Sequence, residues 1–151
     1  MPETKCGFNN TPGVSGSDLL VAYGPTLRVN VGFDPNFKGP PGLPVAGISD
    51  IDALVDTGAS ECCIDSLLAS KLGLPTVDRR SISGVHGSHV ANVHLAQVYV
   101  PSLNFTVYSA FAAVDLTAGG QVHQVLMGRT FLRAFTMTYE GRTGTVTISS
   151  L

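Results

Sequence analysis

Residues 53–60 read ALVDTGAS. A short apolar run delivers a carboxylate, Asp56, and then breaks at once on Gly58. A carboxylate taken out of water without a partner is costly. A strand that ends this way must keep its acid near solvent or supply something to face it. The flanking sequence decides which chemistry that arrangement serves.

Upstream, 48–55 reads as a strand running into Asp56, and TLRVNVGF (26–33) alternates apolar and polar residues as a half-buried strand does. Between them DPNFKGPPGLPVAG (34–47) holds four prolines and three glycines and is predicted as a loop. Its Pro-Gly-Leu-Pro is read as a turn rather than as a polyproline ligand. Downstream, DSLLASKLGLP (65–75) carries helix punctuation: Asp65 as cap, Leu67, Leu68 and Leu72 as the apolar face, Gly73 as stop and Pro75 beyond it. RRSISGVHGSHVANVHLAQVYV (79–100) and LNFTVYSAFAAVD (103–115) predict long strands meeting at Pro101-Ser102, with Gly84 and Gly87 marking a hairpin tip. VLMGRTFLRAF (125–135) predicts an apolar run, a glycine and a short helical segment, and FTMTYEGRTGTVTI (135–148) a closing hairpin. The fold class expected is all-β with one or two short helices.

At 151 residues the chain can bury one substantial core. With 44% hydrophobic and 13% charged residues it is no disordered segment. Nine Lys and Arg against eleven Asp and Glu leave no basic footprint for nucleic acid. No apolar run is long enough to span a bilayer. The opening MPETKCGFNNTPG lacks a signal-peptide layout, so a cytoplasmic location with no membrane partner is expected. Cys6, Cys62 and Cys63 are an odd count with two adjacent, which implies no disulfide framework; Cys62 and Cys63 are read as small hydrophobes beside Asp56. Phosphate-binding loops, dinucleotide fingerprints and nucleophile elbows are absent from the sequence. His89 and His94 are separated by an odd number of residues and would face opposite sides of one strand, while His86 lies at the hairpin tip. No metal site and no cofactor are therefore expected, and His123 receives no role.

The apolar run with Asp-Thr-Gly-Ala at 53–59, the Leu-Met-Gly-Arg at 126–129 and the glycine-bearing hairpin between them resemble the retropepsin-like aspartic peptidases over about residues 27–149. The helix after the catalytic turn is similar to cellular and bacterial members more than to minimal viral ones. The resemblance implies a retropepsin-like half-barrel, active as a symmetric homodimer on polypeptide held in extended conformation. It implies Asp56, Thr57 and Gly58 as catalytic residues, with Thr57 interlocking with its symmetry mate. It also implies a substrate site built from Ala59, Ser60 and Leu126 with a flap tip of Ser83, Gly84, Val85, His86 and Gly87. Val55, Ile64, Val85 and Leu126 are candidates for apolar pocket walls, with plain core as the alternative. Residues 1–26 are expected to form an extension, at the dimer seam or flexible, and 27–151 the peptidase domain.

Such enzymes work with two carboxylates that share one proton across a water. Of the eight aspartates, only Asp56 is followed by Thr-Gly. The chain thus carries half a site, and the other half is expected from Asp56 of a second copy. One departure stands out: Ser60 occupies a position where many viral members carry an acid that pairs with the arginine of the Gly-Arg motif. Glu61 is the neighbouring acid able to take that role toward Arg129. The alternative function is a catalytically silent module of the same fold that grips peptides or partners.

Overall fold

A computed structural model describes residues 2–37, 47–84 and 87–150. Its centre is built from the predicted alternation. Strand β2 (Thr26–Gly32) pairs antiparallel with β3 (Ile48–Val55), setting Leu27 opposite Ala53 and Val29 opposite Ile51. Period-2 geometry turns these residues inward, where all four are buried. Strands β6 (Gly87–Val100) and β7 (Phe105–Val114) form a long antiparallel pair across a 3-10 turn at Pro101–Leu103. Asn104 completes that turn at φ 47°, a left-handed conformation that Asn tolerates.

Two three-residue strands join the halves. Strand β8 (Val125–Met127) runs parallel to β3, and β4 (Cys63–Asp65) lies between β8 and β7. The order is β2-β3-β8-β4-β7-β6, and β6 pairs back onto β2 through Asn30–Gly32. Six strands thereby close into a barrel with no free edge in the ring. Strand β5 (Thr76–Gly84) extends from β6 outside it as a hairpin arm. Val29, Val31, Ile64, Val98, Phe111 and Met127 fill the barrel. Among the described residues no helix is long and apolar enough to cross a membrane.

Helix α2 (Ser66–Leu72) ends as expected, with Gly73 at φ 61° and its N–H on the Ala69 and Ser70 carbonyls. Its start differs. The Asp65 side chain does not cap it but is buried, accepting from the N–H groups of Leu116 and Thr117 at 3.0 and 3.1 Å and from the Thr117 hydroxyl at 2.9 Å. The turn after β7 brings two N–H groups and a hydroxyl to this acid, and together they outcompete the helix terminus for it. Leu67, expected on the apolar face, is 63% exposed; Leu68 and Ala69 carry the buried stripe of this two-turn helix.

Helix α1 (Gly16–Tyr23) lies where no helix was anticipated. Ser15 caps it, its hydroxyl accepting from the Asp18 N–H at 3.0 Å. Strand β1 (Glu3–Lys5) pairs with β10 (Thr145–Ser149), which pairs with β9 (Thr136–Glu140), giving a separate three-stranded sheet. Cys6, Leu20, Val146 and Ile148 from this region join the barrel's core. The backbones meet closely: a Cβ on Gly16 would stand 2.2 Å from the Phe8 carbonyl oxygen, and one on Gly7 2.1 Å from that of Gly144.

Candidate active site

The parallel pairing of β3 with β8 brings the two glycine-bearing turns side by side, Asp56 at the end of one strand and Gly128 at the end of the other. The Asp56 N–H donates to the Met127 carbonyl at 2.9 Å. The chain then folds back on itself: the Gly58 N–H donates to Asp56 Oδ1 at 2.9 Å and the Ala59 N–H to the Asp56 carbonyl at 3.3 Å. One carboxylate oxygen is thus held by the backbone, and the side chain is half-buried rather than sealed off.

Glycine is required at Gly128, and at Gly58 a side chain would crowd the carboxylate. A Cβ on Gly58 would lie 3.1 Å from Asp56 Oδ1, and one on Gly128 would lie 2.5 Å from the Glu61 carbonyl oxygen. The close approach at Gly128 lets the next two N–H groups, of Arg129 and Thr130, donate to the Ala59 and Ser60 carbonyls at 2.9 and 3.0 Å. These two residues open the short helix α3 (Arg129–Leu132).

Arg129 spans the turn, donating from Nη1 to the Thr57 carbonyl at 2.7 Å. Glu61 does not pair with it. Its carboxylate takes Arg80 of β5 instead, at 2.7 Å, because the hairpin arm passes directly over residues 58–61. Arg129 therefore works through a carbonyl, which needs no acid at position 60 or 61.

A groove of about 320 Å³ runs beside the turn, lined by Gly58, Ala59, Ser60, Cys63 and, from the arm above, Ile82 and Ser83. It gathers four of the predicted residues. Gly84 and Gly87 pair with each other near the end of the arm, Gly87 at φ 105°. Val85 and His86 lie outside the described residues. Leu126 is half-buried opposite Leu54 on β3 and does not line this groove. Val55 and Ile64 belong to the barrel core rather than to a pocket wall, since alternation along β3 and β4 turns them inward.

Cys63, read from the sequence as a small hydrophobe beside Asp56, lines the groove, and so do Arg80 and Ile82, to which the sequence had assigned no place there. Burial pushes the Cys63 thiol up to about 11, with Cys62, Glu61 and Asp56 adding to the rise. It remains a neutral thiol near pH 7 and offers no nucleophile. Cys62 is buried, its sulfur 3.4 Å from the Gly128 N–H as acceptor. His94 is buried against the Leu74 carbonyl at 3.1 Å and His89 is exposed. Among the described residues no cluster of three or more His, Cys, Asp or Glu could hold a metal ion. His123, unassigned from the sequence, is buried with Nε2 2.8 Å from the Thr26 hydroxyl; burial lowers its pKa, partly offset by Asp52.

Residues 43–131 match a family model described as aspartyl protease. A comparison with curated proteins gives no match. Among solved structures, the chain is similar to EIAV protease complexed with the inhibitor HBY-793, with 15% identity over 72% of this chain and 85% of that one and a TM-score of 0.48. It is also similar to the Simian Foamy Virus (mac) protease in solution, with 15% identity, 72% and 91% coverage and a TM-score of 0.46.

Proposed function

The chain belongs to the aspartyl protease family, and on that premise we propose that it is one half of an endopeptidase, active as a homodimer in which two copies of Asp56 form the catalytic pair. The observation that carries this reading is the state of Asp56: a half-buried carboxylate with one oxygen held by Gly58 and no other acid hydrogen-bonded to it among the described residues. A symmetry mate supplies what is missing. Two carboxylates brought that close cannot both ionise, so the pair retains one proton. The charged member takes a proton from a water, which attacks the scissile carbonyl. The protonated member stabilises the developing oxyanion and then protonates the leaving nitrogen.

Each turn residue has a part in this scheme. The Gly58 N–H orients the carboxylate, Thr57 reaches its symmetry mate, and Arg129 keeps the turn in shape through the Thr57 carbonyl. Ala59, Ser60 and Ser83 contact an extended polypeptide in the groove, and the arm that carries Gly84 and Gly87 closes over it. Water and two carboxylates supply both base and acid, so the scheme calls for no cofactor.

The test is pepstatin-sensitive cleavage of a mixed peptide pool by wild type and by Asp56→Asn. Cleavage by wild type alone is expected. Cleavage by both alike would point to a contaminant, and cleavage by neither to the silent peptide-binding module.

A further inference from the structure

We propose that a cavity at the root of the hairpin arm is a second ligand site, built for a primary alkylammonium group and placed where its occupant ties the arm to the body of the molecule. The cavity holds about 400 Å³ and shares no lining residue with the groove beside Asp56. Strand pairing explains why it exists. Strand β6 keeps to β7 from Val100 as far as Val93, opposite Ala112, and keeps to β5 from His94 out to Gly87. Strand β7 meanwhile turns to β4 through Ala112–Val114. The sheet therefore forks at Val93 and Ala112, and the cavity fills the fork, with α2 along its side.

One side chain in the wall has an atom to spare. His94 is only 8% exposed, and its Nδ1 lies 3.1 Å from the Leu74 carbonyl and 3.3 Å from the Thr76 hydroxyl. A carbonyl can only accept, so Nδ1 carries the proton and Nε2 of the neutral ring is left as an acceptor. Nε2 bonds nothing among the described residues. No side-chain nitrogen among them is sealed in without a partner, so Nε2 opens into the cavity that His94 lines. Asn92 sits two residues along β6 on the same face. Across the fork stands Asp115, whose carboxylate accepts from the Ser66 hydroxyl and has no cation beside it among the described residues. No Lys or Arg lines the cavity among those residues.

These groups select the occupant. An imidazole lone pair, a carboxylate and hydroxyl oxygens call for a donor with positive charge, and an ammonium offers them three N–H groups. An anion would meet Asp115 with no cation to offset it. Val90 and Ala113 supply apolar surface for the alkyl stem. Position gives the occupant its leverage. Asp115 and Ser66 belong to the body, whereas His94, Asn92 and Thr76 belong to the root of the arm. Leu74 and Pro75, just before β5, are fastened to β6 by His94 and by the Leu95 N–H, which donates to the Pro75 carbonyl at 3.0 Å. An ammonium held by Asp115 and His94 together joins the two sides of the fork and restrains the arm from lifting. The effect on cleavage rests on the peptidase reading above; the binding does not.

The experiment is calorimetry on the full chain at about pH 8, where an imidazole is neutral. The probes are cadaverine and Nα-acetyl-lysine amide, with sorbitol as the neutral control. Both amines should bind and sorbitol should not, and the tighter amine tells whether a free diamine or a lysine side chain is the source. Asp115→Asn keeps an acceptor for Ser66 but loses the charge, and should weaken amine binding about tenfold. His94→Asn keeps a donor for the Leu74 carbonyl but loses Nε2, and should weaken it about fivefold. Should His94→Asn fail to fold, the exposed Asp115 still decides the matter. Asp18→Asn removes an exposed acid on α1 and should change nothing. Saturating cadaverine should lower kcat/KM of the wild type about fivefold. Failure of both amines to bind, or equal binding by wild type and Asp115→Asn, overturns the site. Binding that leaves cleavage untouched overturns the tie to the arm. A wild type that binds amine and cleaves no peptide overturns the peptidase reading and leaves the site standing.

Discussion

The turn that carries Asp56 and the sheet formed by residues from both ends of the chain are held by opposite means. At the turn, hydrogen bonds among residues 56–60 and 127–130 fix the backbone, and one of them, from the Gly58 N–H, holds the Asp56 carboxylate itself. At the sheet, strand pairing and bare backbone contact join residues 2–17 to 141–150, with Gly7, Gly16 and Gly144 leaving no room for a Cβ. On the proposed reading the first region serves chemistry and the second holds the molecule together. Changes at the turn should therefore remove activity and spare the fold, and changes at the sheet should do the reverse.

The largest separation is expected from Asp56→Asn. It should lower kcat/KM by roughly a thousandfold or more while keeping the melting temperature within a few degrees, since the amide still accepts from the Gly58 N–H. Gly144→Ala is its counterpart. A Cβ there would lie 2.3 Å from Gly16 backbone, and φ is 79°, so a loss of about 3 kcal/mol is expected by urea unfolding, with cleavage unchanged wherever the protein remains folded and dimeric. Equal losses of activity and stability in either variant would dissolve the contrast.

Arg129→Ala sharpens it on a smaller scale. Deleting the donor to the Thr57 carbonyl should lower kcat about tenfold with little change in KM or unfolding, because Arg129 is exposed and positions the turn without touching substrate. Glu61→Gln should leave kcat nearly intact, since that acid is paired with Arg80 in an exposed bridge.

The smallest effect concerns pH and lies outside both regions. Burial lowers the pKa of His123, so the folded state binds its proton more weakly than the unfolded chain. The sign follows: this contribution to stability is fully present above the ordinary value of 6.5 and is lost as pH falls below it. The urea midpoint should drop between pH 7.5 and 5, and His123→Gln should show a shallower drop.

The same contrast explains what could be read from sequence. The turn was legible because its logic is local: an apolar run, an acid and a glycine at fixed spacing, with a second glycine and an arginine on the neighbouring strand. The barrel strands were legible through alternation, as at Leu27, Val29 and Val31. Asp65 was misassigned because the competing donors at Leu116 and Thr117 arrive from fifty residues away. Helix α1 escaped although Ser15, Asp18 and Gly24 punctuate it, because its eight residues bury only Gly16 and Leu20 and show no sustained apolar stripe. The pairing of β1 with β10 left no periodic signal in three residues. Glu61 was matched to the wrong arginine, since nothing in the sequence places Arg80 above the turn.

The central claim, that two copies of Asp56 make one site, is tested most directly by subunit mixing. Wild type equilibrated with a ninefold excess of Asp56→Asn should retain about one tenth of its activity, because only that fraction of wild-type subunits finds a wild-type partner. Undiminished activity in the mixture, with exchange of subunits verified by sedimentation, would contradict it.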